Sequence, residues 1–501
     1  MLWEDGSPRT GWMGERSTSY QDVLEVETRL PLPTELGRRG TAPALVDCTS
    51  GQVHENDFAE VVLVCEPEGP SLMMGGLHPR ASLFDRPVNL DHSRQQHKKF
   101  RQVLRSYGLR VITVREVLAF GADDHVAARL GLEDLAMNSL SYRLAEGVSI
   151  EDVRENDRFY LTDDYKQTVL EGMGVAQLID VLMSNPTVYL SPSDRDTGLR
   201  SAYEFHPLSN LVYTRDQQVT TAKGIVMGRL RSSQRQREVD LMRFCLKKLG
   251  LPVLGEIREP GFLEGGDFIP AGRDLCFIGI GLRSNFRACQ QLMDNDWLGT
   301  RRLAVVSDGF EQHQDRMHLD CVFSITGDKC CMMLEEMMGM DSPTRRLVSV
   351  YTRTCGNGGT CKYELTREHV EFSQFMKEEG YNIIPIKAEH QLQYACNVLN
   401  LGGGRILSVH PLSARQLVRS PHFHGTVQVI EFSSITSMYG AVHCSTQILR
   451  RQAKPRQGWP RTRPSSARVS DSSIVDLPRS EMPNSEDESM PENGGMLDRL
   501  L

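Results

Sequence analysis

Five polar residues stand beside apolar, strand-like segments, and their types suit nucleophilic chemistry on a cation. In YGAVHCSTQIL, Cys444 follows a loop of small residues. A free cysteine is most often an inert buried hydrophobe, so alone it decides nothing. In RMHLDCVFSI, His318 and Asp320 lie two residues apart, a spacing that in a strand puts both side chains on one face. An imidazole beside a carboxylate suits acid–base work and cation binding. In EPGFLEGGDFIP, Glu264 precedes Gly265 and Gly266, which let the backbone approach another group closely. In LSNLVYTRDQQVTT, Asp216 follows a strand expected over Leu211–Thr214 and by itself reads as a turn former.

As a set these residues say more than singly. A thiol, an imidazole with a carboxylate to orient it, and two further carboxylates compose a site for a planar cation. A guanidinium fits, because its rigid fork of N–H donors matches carboxylates pairwise. His443, next to Cys444, is expected to alternate to the opposite face of a strand and is not assigned as the base.

Such a site needs a scaffold that brings distant segments together. The chain shows a rhythm of two short strands, a helix and another strand. Hairpins are predicted over Asn210–Leu230, Leu263–Gly281, Met317–Met333 and Tyr394–Val409, the last turning at Gly402–Gly404. A fifth pair joins Glu60–Cys65 to Gly440–Leu449. Phe100, Val103, Leu104 and Tyr107 form a helical i, i+3, i+4, i+7 stripe. A unit recurring every roughly 50 to 80 residues suggests a radial or closed array, since no unit alone buries its faces. From Gly121 to Pro186 the pattern is helical throughout, with Leu130, Asp134, Met137 and Ser141 in register and Val175, Leu178, Ile179 and Leu182 as an apolar stripe. This segment, 121–186, reads as an inserted helical subdomain.

Composition narrows the partners. With 57 Lys plus Arg against 65 Asp plus Glu, no basic field exists to attract nucleic acid. No apolar run approaches the roughly 20 residues that span a bilayer, and the N-terminus carries Glu4, Asp5 and Glu15 without an apolar signal core. Neither a membrane nor secretion is expected. The twelve cysteines lie mostly in apolar segments, which predicts reduced thiols in the cytoplasm rather than a disulfide framework. Cys355 with Cys361, and Cys330 with Cys331, match no zinc spacing. Residues 1–45 are expected to form a poorly ordered arm, 46–451 a catalytic domain, and 452–501 a disordered tail, basic and then acidic.

From Val61 to Leu449 the chain resembles the arginine deiminase family of the guanidine-modifying, or pentein, superfamily, in order as well as motif. LFD at Leu83–Asp85, the helix with His97 and Phe100, LRSYGLRVITV, NLVYTRD, LEGGD, MHLDCVF and the terminal HC follow in the family's order. The resemblance implies an α/β fold, a five-bladed pseudo-fivefold propeller with a helical insertion. It implies Cys444 as nucleophile, His318 as acid–base, Glu264 as its partner, and Asp216 and Asp320 as the guanidinium-binding pair. Asn210, Arg235 and Arg283 would hold the amino-acid end of the substrate, with Arg215 a further site arginine. The implied reaction is hydrolysis of free L-arginine to citrulline and ammonia through a covalent thiouronium, with no metal or organic cofactor. The implied partner is this small guanidine, and a homo-oligomer is left open. Tyr439 in SMYGAVHC stands where bacterial members carry an arginine-containing gating loop. Agmatine or another guanidine, a dihydrolase, an amidinotransferase and a non-catalytic arginine sensor therefore stay open.

Overall fold

Five times along the chain the same order recurs: two antiparallel strands, a helix, and a third strand parallel to its neighbour. The computed structural model describes residues 49–67, 69–195, 197–356 and 361–454. β1 (Phe58–Val64) leads through the helix Leu90–Ser106 to its parallel neighbour β2 (Arg110–Thr113). An inserted sheet follows, with β3 (Ser141–Leu144) parallel to β4 (Pro186–Pro192) and β4 antiparallel to β5 (Leu199–Phe205). β6 (Gln218–Thr220) and β7 (Ile225–Met227) are antiparallel, and the helix Gln236–Lys248 crosses to β8 (Val253–Glu256). β9 (Phe268–Pro270), β10 (Leu275–Ile280), the helix Phe286–Asp294 and β11 (Arg302–Ser307) repeat that order.

β12 (Phe323–Gly327) and β13 (Cys330–Leu334) open the next unit. A long hairpin, β14 (Leu347–Cys355) with β15 (Cys361–Glu371), interrupts it and adds to the edge of β11. The helix Phe372–Glu378 and β16 (Asn382–Ile386) complete the unit. β17 (Leu399–Asn400), β18 (Arg405–Ser408), the helix Pro411–Arg419 and β19 (Thr426–Val429) form another. β20 (Gln447–Gln452) then returns antiparallel to β1 and closes the unit the chain began with. All five strand pairs expected from the hairpin patterns are present in this α/β fold.

Local sequence explains the elements. Asn89 caps the helix Leu90–Ser106 by accepting from His92 N at 2.9 Å. That helix buries Phe100, Val103 and Leu104 against Phe432 and the β1 side chains. Full burial of one such side chain contributes about 1.5–3 kcal/mol. The β17–β18 turn needs its glycines: Gly402, Gly403 and Gly404 have φ of 104°, 61° and 70°. A Cβ on Gly402 would stand 2.4 Å from Phe58 Cα.

Several expectations change. The segment 121–186 is not helical throughout. Its helices Val126–Met137, Asp163–Glu171 and Val175–Ser184 are joined by β3, and Ser141 is a strand residue. The helical spacing that links Leu130, Asp134 and Met137 stops at Met137, where the helix ends. Leu211–Thr214 is a turn ahead of β6, not a strand. Cys355 and Cys361 are opposed across β14 and β15 and joined as a disulfide, while the nine other cysteines among the described residues are free and buried. The expected arm, 1–45, and the tail from 455 onward lie outside the described residues, whereas Gln452 is the last residue of β20. Among the described residues, no helix is long and apolar enough to cross a membrane.

Candidate active site

Each of the five units contributes one polar residue from the turn just before its leading strand. Asp216 precedes β6, Glu264 β9, Asp320 β12, Asn397 β17 and Cys444 β20. All five are buried. Residues from five separate segments of the chain thus meet because the units share one topology.

Cys444 lies in the turn Ala441–Thr446, where Ser445 N donates to Ala441 O at 3.0 Å and Thr446 N to His443 O at 3.2 Å. Asn397 brackets it. Its Nδ2 donates to Cys444 Sγ at 3.1 Å, and its Oδ1 accepts from His443 N at 3.1 Å and Cys444 N at 3.4 Å. Arg215 secures the same turn from the other side: its backbone N donates to Cys444 O at 3.1 Å and its Nε to His443 O at 3.2 Å. Burial first, and then the Asp320 and Asp216 carboxylates, push the Cys444 thiol well above its ordinary pKa. Without a cation between them, sulfur stays protonated.

His318 caps a short 3-10 turn, Leu319–Cys321, and is not a strand residue. Its Nε2 is 2.8 Å from Glu264 Oε2 and its Nδ1 is 3.9 Å from Asp216 Oδ1. Burial pulls its pKa down, but Asp216, Glu264 and Asp267 outweigh burial and lift it to about 10. Glu264 is the complement: burial would raise it, and the His318 hydrogen bond and charge hold it down at about 2. The pair is an imidazolium and a carboxylate at neutral pH. Glu264 Oε1 also accepts from Arg231 N at 2.9 Å. The glycines beside Glu264 permit the approach: a Cβ on Gly265 would collide with Arg215 O, and one on Gly266 would lie 2.7 Å from His318 Nδ1.

Asp320 has two partners on Oδ2, while its Oδ1 accepts from Cys321 Sγ at 3.6 Å. Its Oδ2 is 2.8 Å from His443 Nδ1 and 3.7 Å from Cys444 Sγ. Burial raises its pKa, and the His443 hydrogen bond and charge more than reverse this. Asp216 Oδ2 accepts from Arg235 at 2.8 Å, while its Oδ1 and His318 Nδ1 are buried without a hydrogen-bond partner. Two sets of metal-ligand atoms fall within 4.8 Å here, His318/Asp320/Cys321 and Asp216/Glu264/His318. In the second set His318 Nε2 is already engaged by Glu264 Oε2 at 2.8 Å.

The remaining arginines differ in how fully they are engaged. Arg235 is saturated, with Nε and Nη2 on Glu238 at 2.9 to 3.2 Å and Nη1 on Asp216. Asn210 Nδ2 turns to Ser82 O at 2.9 Å. Arg283 alone of the three keeps a buried donor unused: Nη2 meets Gln314 Oε1 at 2.9 Å, and Nε has no partner. All nine residues singled out in the sequence are buried, and seven cluster around Cys444 or His318 through the contacts above; Asn210 joins them only through its carbonyl, which accepts from Arg235 Nη2 at 3.5 Å, and Arg283 stands apart from those contacts.

Sequence reasoning missed three residues. His443 shares a turn with Cys444, so strand alternation does not apply and its ring also faces Asp320. Asn397 was signalled by the hairpin Tyr394–Val409, whose leading turn had no polar residue assigned. Glu238, three residues after Arg235 on one helix face, was readable as an i, i+3 pair.

A family profile described as arginine deiminase matches residues 81–451. The arginine deiminase of Halobacterium salinarum is 24% identical over 466 residues, covering 76% of this chain and 93% of that protein. That of Staphylococcus haemolyticus is 24% identical over 261 residues, and the match spans 50% of this chain and 60% of that protein. Among solved structures, SxtG, an amidinotransferase from Microseira wollei, aligns at 13% identity with a TM-score of 0.47, over 82% of this chain and 99% of that one. The ordered motifs and the profile match span most of the sequence, and the chain belongs to the arginine deiminase family.

Proposed function

We propose that this protein hydrolyses a C–N bond of free L-arginine to give citrulline and ammonia, with Cys444 as nucleophile. The observation that carries the reading is the convergence of Cys444 Sγ on Asp320 at 3.7 Å and of His318 on Asp216 at 3.9 Å, with Asp216 Oδ1 and His318 Nδ1 buried and unpartnered. Two carboxylates flanking a thiol and an imidazolium suit a planar cation.

A guanidinium carbon is a weak electrophile and a neutral thiol a weak nucleophile. Asp216 and Asp320 hold and orient the cation, whose charge offsets the two carboxylates that keep sulfur protonated. The thiol proton leaves through the adjacent Asp320 carboxylate. Sulfur bonds to the guanidinium carbon, and His318 gives its proton to one nitrogen. That C–N bond breaks, ammonia departs as it picks up the released proton, and a cationic thiouronium remains. Neutral His318 then takes a proton from water attacking the same carbon. The C–S bond breaks, the added hydroxyl's proton returns to sulfur, and the ureido product forms. Asn397 and Arg215 position the turn that carries sulfur, and Arg235 positions Asp216. Arg283, with its unused Nε, is the residue for the substrate carboxylate.

The fold reading extends to five units set as blades about a pseudo-fivefold axis, with residues 121–186 as an insertion. Five equal topologies, each giving one turn residue to the site, support it. Nine free buried thiols among the described residues support a reducing, cytoplasmic setting.

The test is a panel of arginine, agmatine, methylated arginine and a peptidyl arginine, with ammonia and ureido product measured together. One ammonia per citrulline from free arginine is expected. Ornithine with two ammonias, or amidino transfer to an added amine, overturns the hydrolytic deimination.

A further inference from the structure

The sheet β3–β4–β5 contains none of the reaction residues and ends in an edge strand of unusual self-complementarity. Exposed sheet edges present rows of unpaired N–H and C=O groups, and proteins ordinarily blunt them with proline, lysine or a bulge. β5, LRSAYEF, has no proline, lysine or bulge, and its two charges, Arg200 and Glu204, are of opposite sign: it runs seven residues in unbroken register against β4 and is exposed along nearly its whole length. Tyr203 is 62% and Phe205 42% exposed, and their rings stack on each other at 6.3 Å.

The register fixes which backbone groups face outward. His206 N donates to Asn185 O and Ser193 N to Gly198 O, so residues 198 and 206 use their polar groups on the β4 side. By the alternation of an antiparallel ladder, Arg200, Ala202 and Glu204 do the same. Leu199, Ser201, Tyr203 and Phe205 therefore direct their N–H and C=O groups to the open edge. We infer that β5 pairs antiparallel with β5 of a second copy of this chain about a two-fold axis at Ala202, making one six-stranded sheet from two.

Centring on Ala202 sets Leu199 opposite Phe205 and Ser201 opposite Tyr203, the outward-facing pairs, which exchange backbone hydrogen bonds. Arg200 then lies opposite Glu204 twice, at the non-hydrogen-bonded positions where cross-strand side chains approach most closely. A one-residue slip loses this match and places like backbone groups out of phase. Glu204 also accepts from Tyr189 OH at 2.6 Å, which holds the carboxylate on that face of the strand. A single strand pair is a small interface, so micromolar association is expected.

Sedimentation velocity of the full chain across a concentration series tests this. The parent should dimerise. Arg200→Glu opposes two carboxylates and should weaken association at least tenfold, and adding Glu204→Arg should restore it. Ser201→Pro removes an outward N–H without touching the β4 ladder and should give a monomer with unchanged far-UV circular dichroism. A parent that stays monomeric at 100-fold above micromolar concentration, or a dimer indifferent to both Arg200→Glu and Ser201→Pro, overturns the proposal. So does a monomer that instead captures a foreign strand peptide at this edge.

Discussion

The side chain of Asn397 holds Cys444 at two points and His443 at a third, with Nδ2 on Cys444 Sγ at 3.1 Å and Oδ1 on the N–H groups of His443 and Cys444. The amide donor, with the backbone at Ala441, acts on a sulfur that the Asp320 and Asp216 carboxylates also approach. It favours the thiolate that burial, Asp320 and Asp216 oppose.

Asn397→Ala should therefore lower kcat/KM by roughly 10- to 100-fold, the worth of a hydrogen bond to a charged group at about 1.5–3 kcal/mol. Alkylation of Cys444 by iodoacetamide should also shift to higher pH. An unaltered alkylation profile would mean the amide serves only to hold the turn.

Cys444→Ala should retain the fold and lose turnover by on the order of 10⁴-fold or more, as for nucleophiles acting within a catalytic unit. His318→Ala removes both the proton donor for the leaving nitrogen and the base for water, so it should lose turnover to a similar extent, with no covalent adduct on Cys444 accumulating by intact-mass spectrometry. Substantial ammonia release by the alanine variant at 444 removes the central claim.

The His318–Glu264 pair sets the pH range. His318 is raised from 6.5 to about 10, so its contribution to stability is complete below pH 6.5 and lost as pH rises through about 10. Glu264 is lowered from 4.5 to about 2, so its share is complete above pH 4.5 and lost as pH falls toward 2. Melting temperature should hold level between those limits. Leaving-group protonation requires the imidazolium, so the alkaline limb of kcat/KM should follow His318. Glu264→Gln should move that limb to lower pH, and a limb that does not move assigns it to another group.

Two arginines should separate by readout. Arg235→Ala strands Asp216 and Glu238 in the interior and should destabilise the protein by about 3–5 kcal/mol in urea melts. Arg283 has a lighter set of contacts and should act on substrate choice. The parent should prefer arginine to agmatine by more than roughly a hundredfold in kcat/KM, from about 3–5 kcal/mol for an unmatched buried charge. Arg283→Ala should erase most of that preference. Equal use of the two by the parent would show that the carboxylate is not what the site reads.

The sequence by itself determined the chemical inventory and the repeating elements. Alternating apolar residues, glycine turns such as Gly402–Gly404, and the stripe through Phe100 are local signals that read directly as strands, turns and helices. The motifs at Asp216, Glu264, His318 and Cys444 are local in the same sense. Tertiary structure alone decided which atoms face each other. His443 turns toward Asp320 because residues 441–446 form a turn, which no periodicity reports. Arg235 is spent on Asp216 and Glu238, Asn397 crosses from another unit to Cys444, and Cys355 meets Cys361 across a hairpin. Contacts between segments far apart in the chain depend on how separate units pack, and side-chain direction at a turn depends on dihedral angles that composition and spacing leave unspecified.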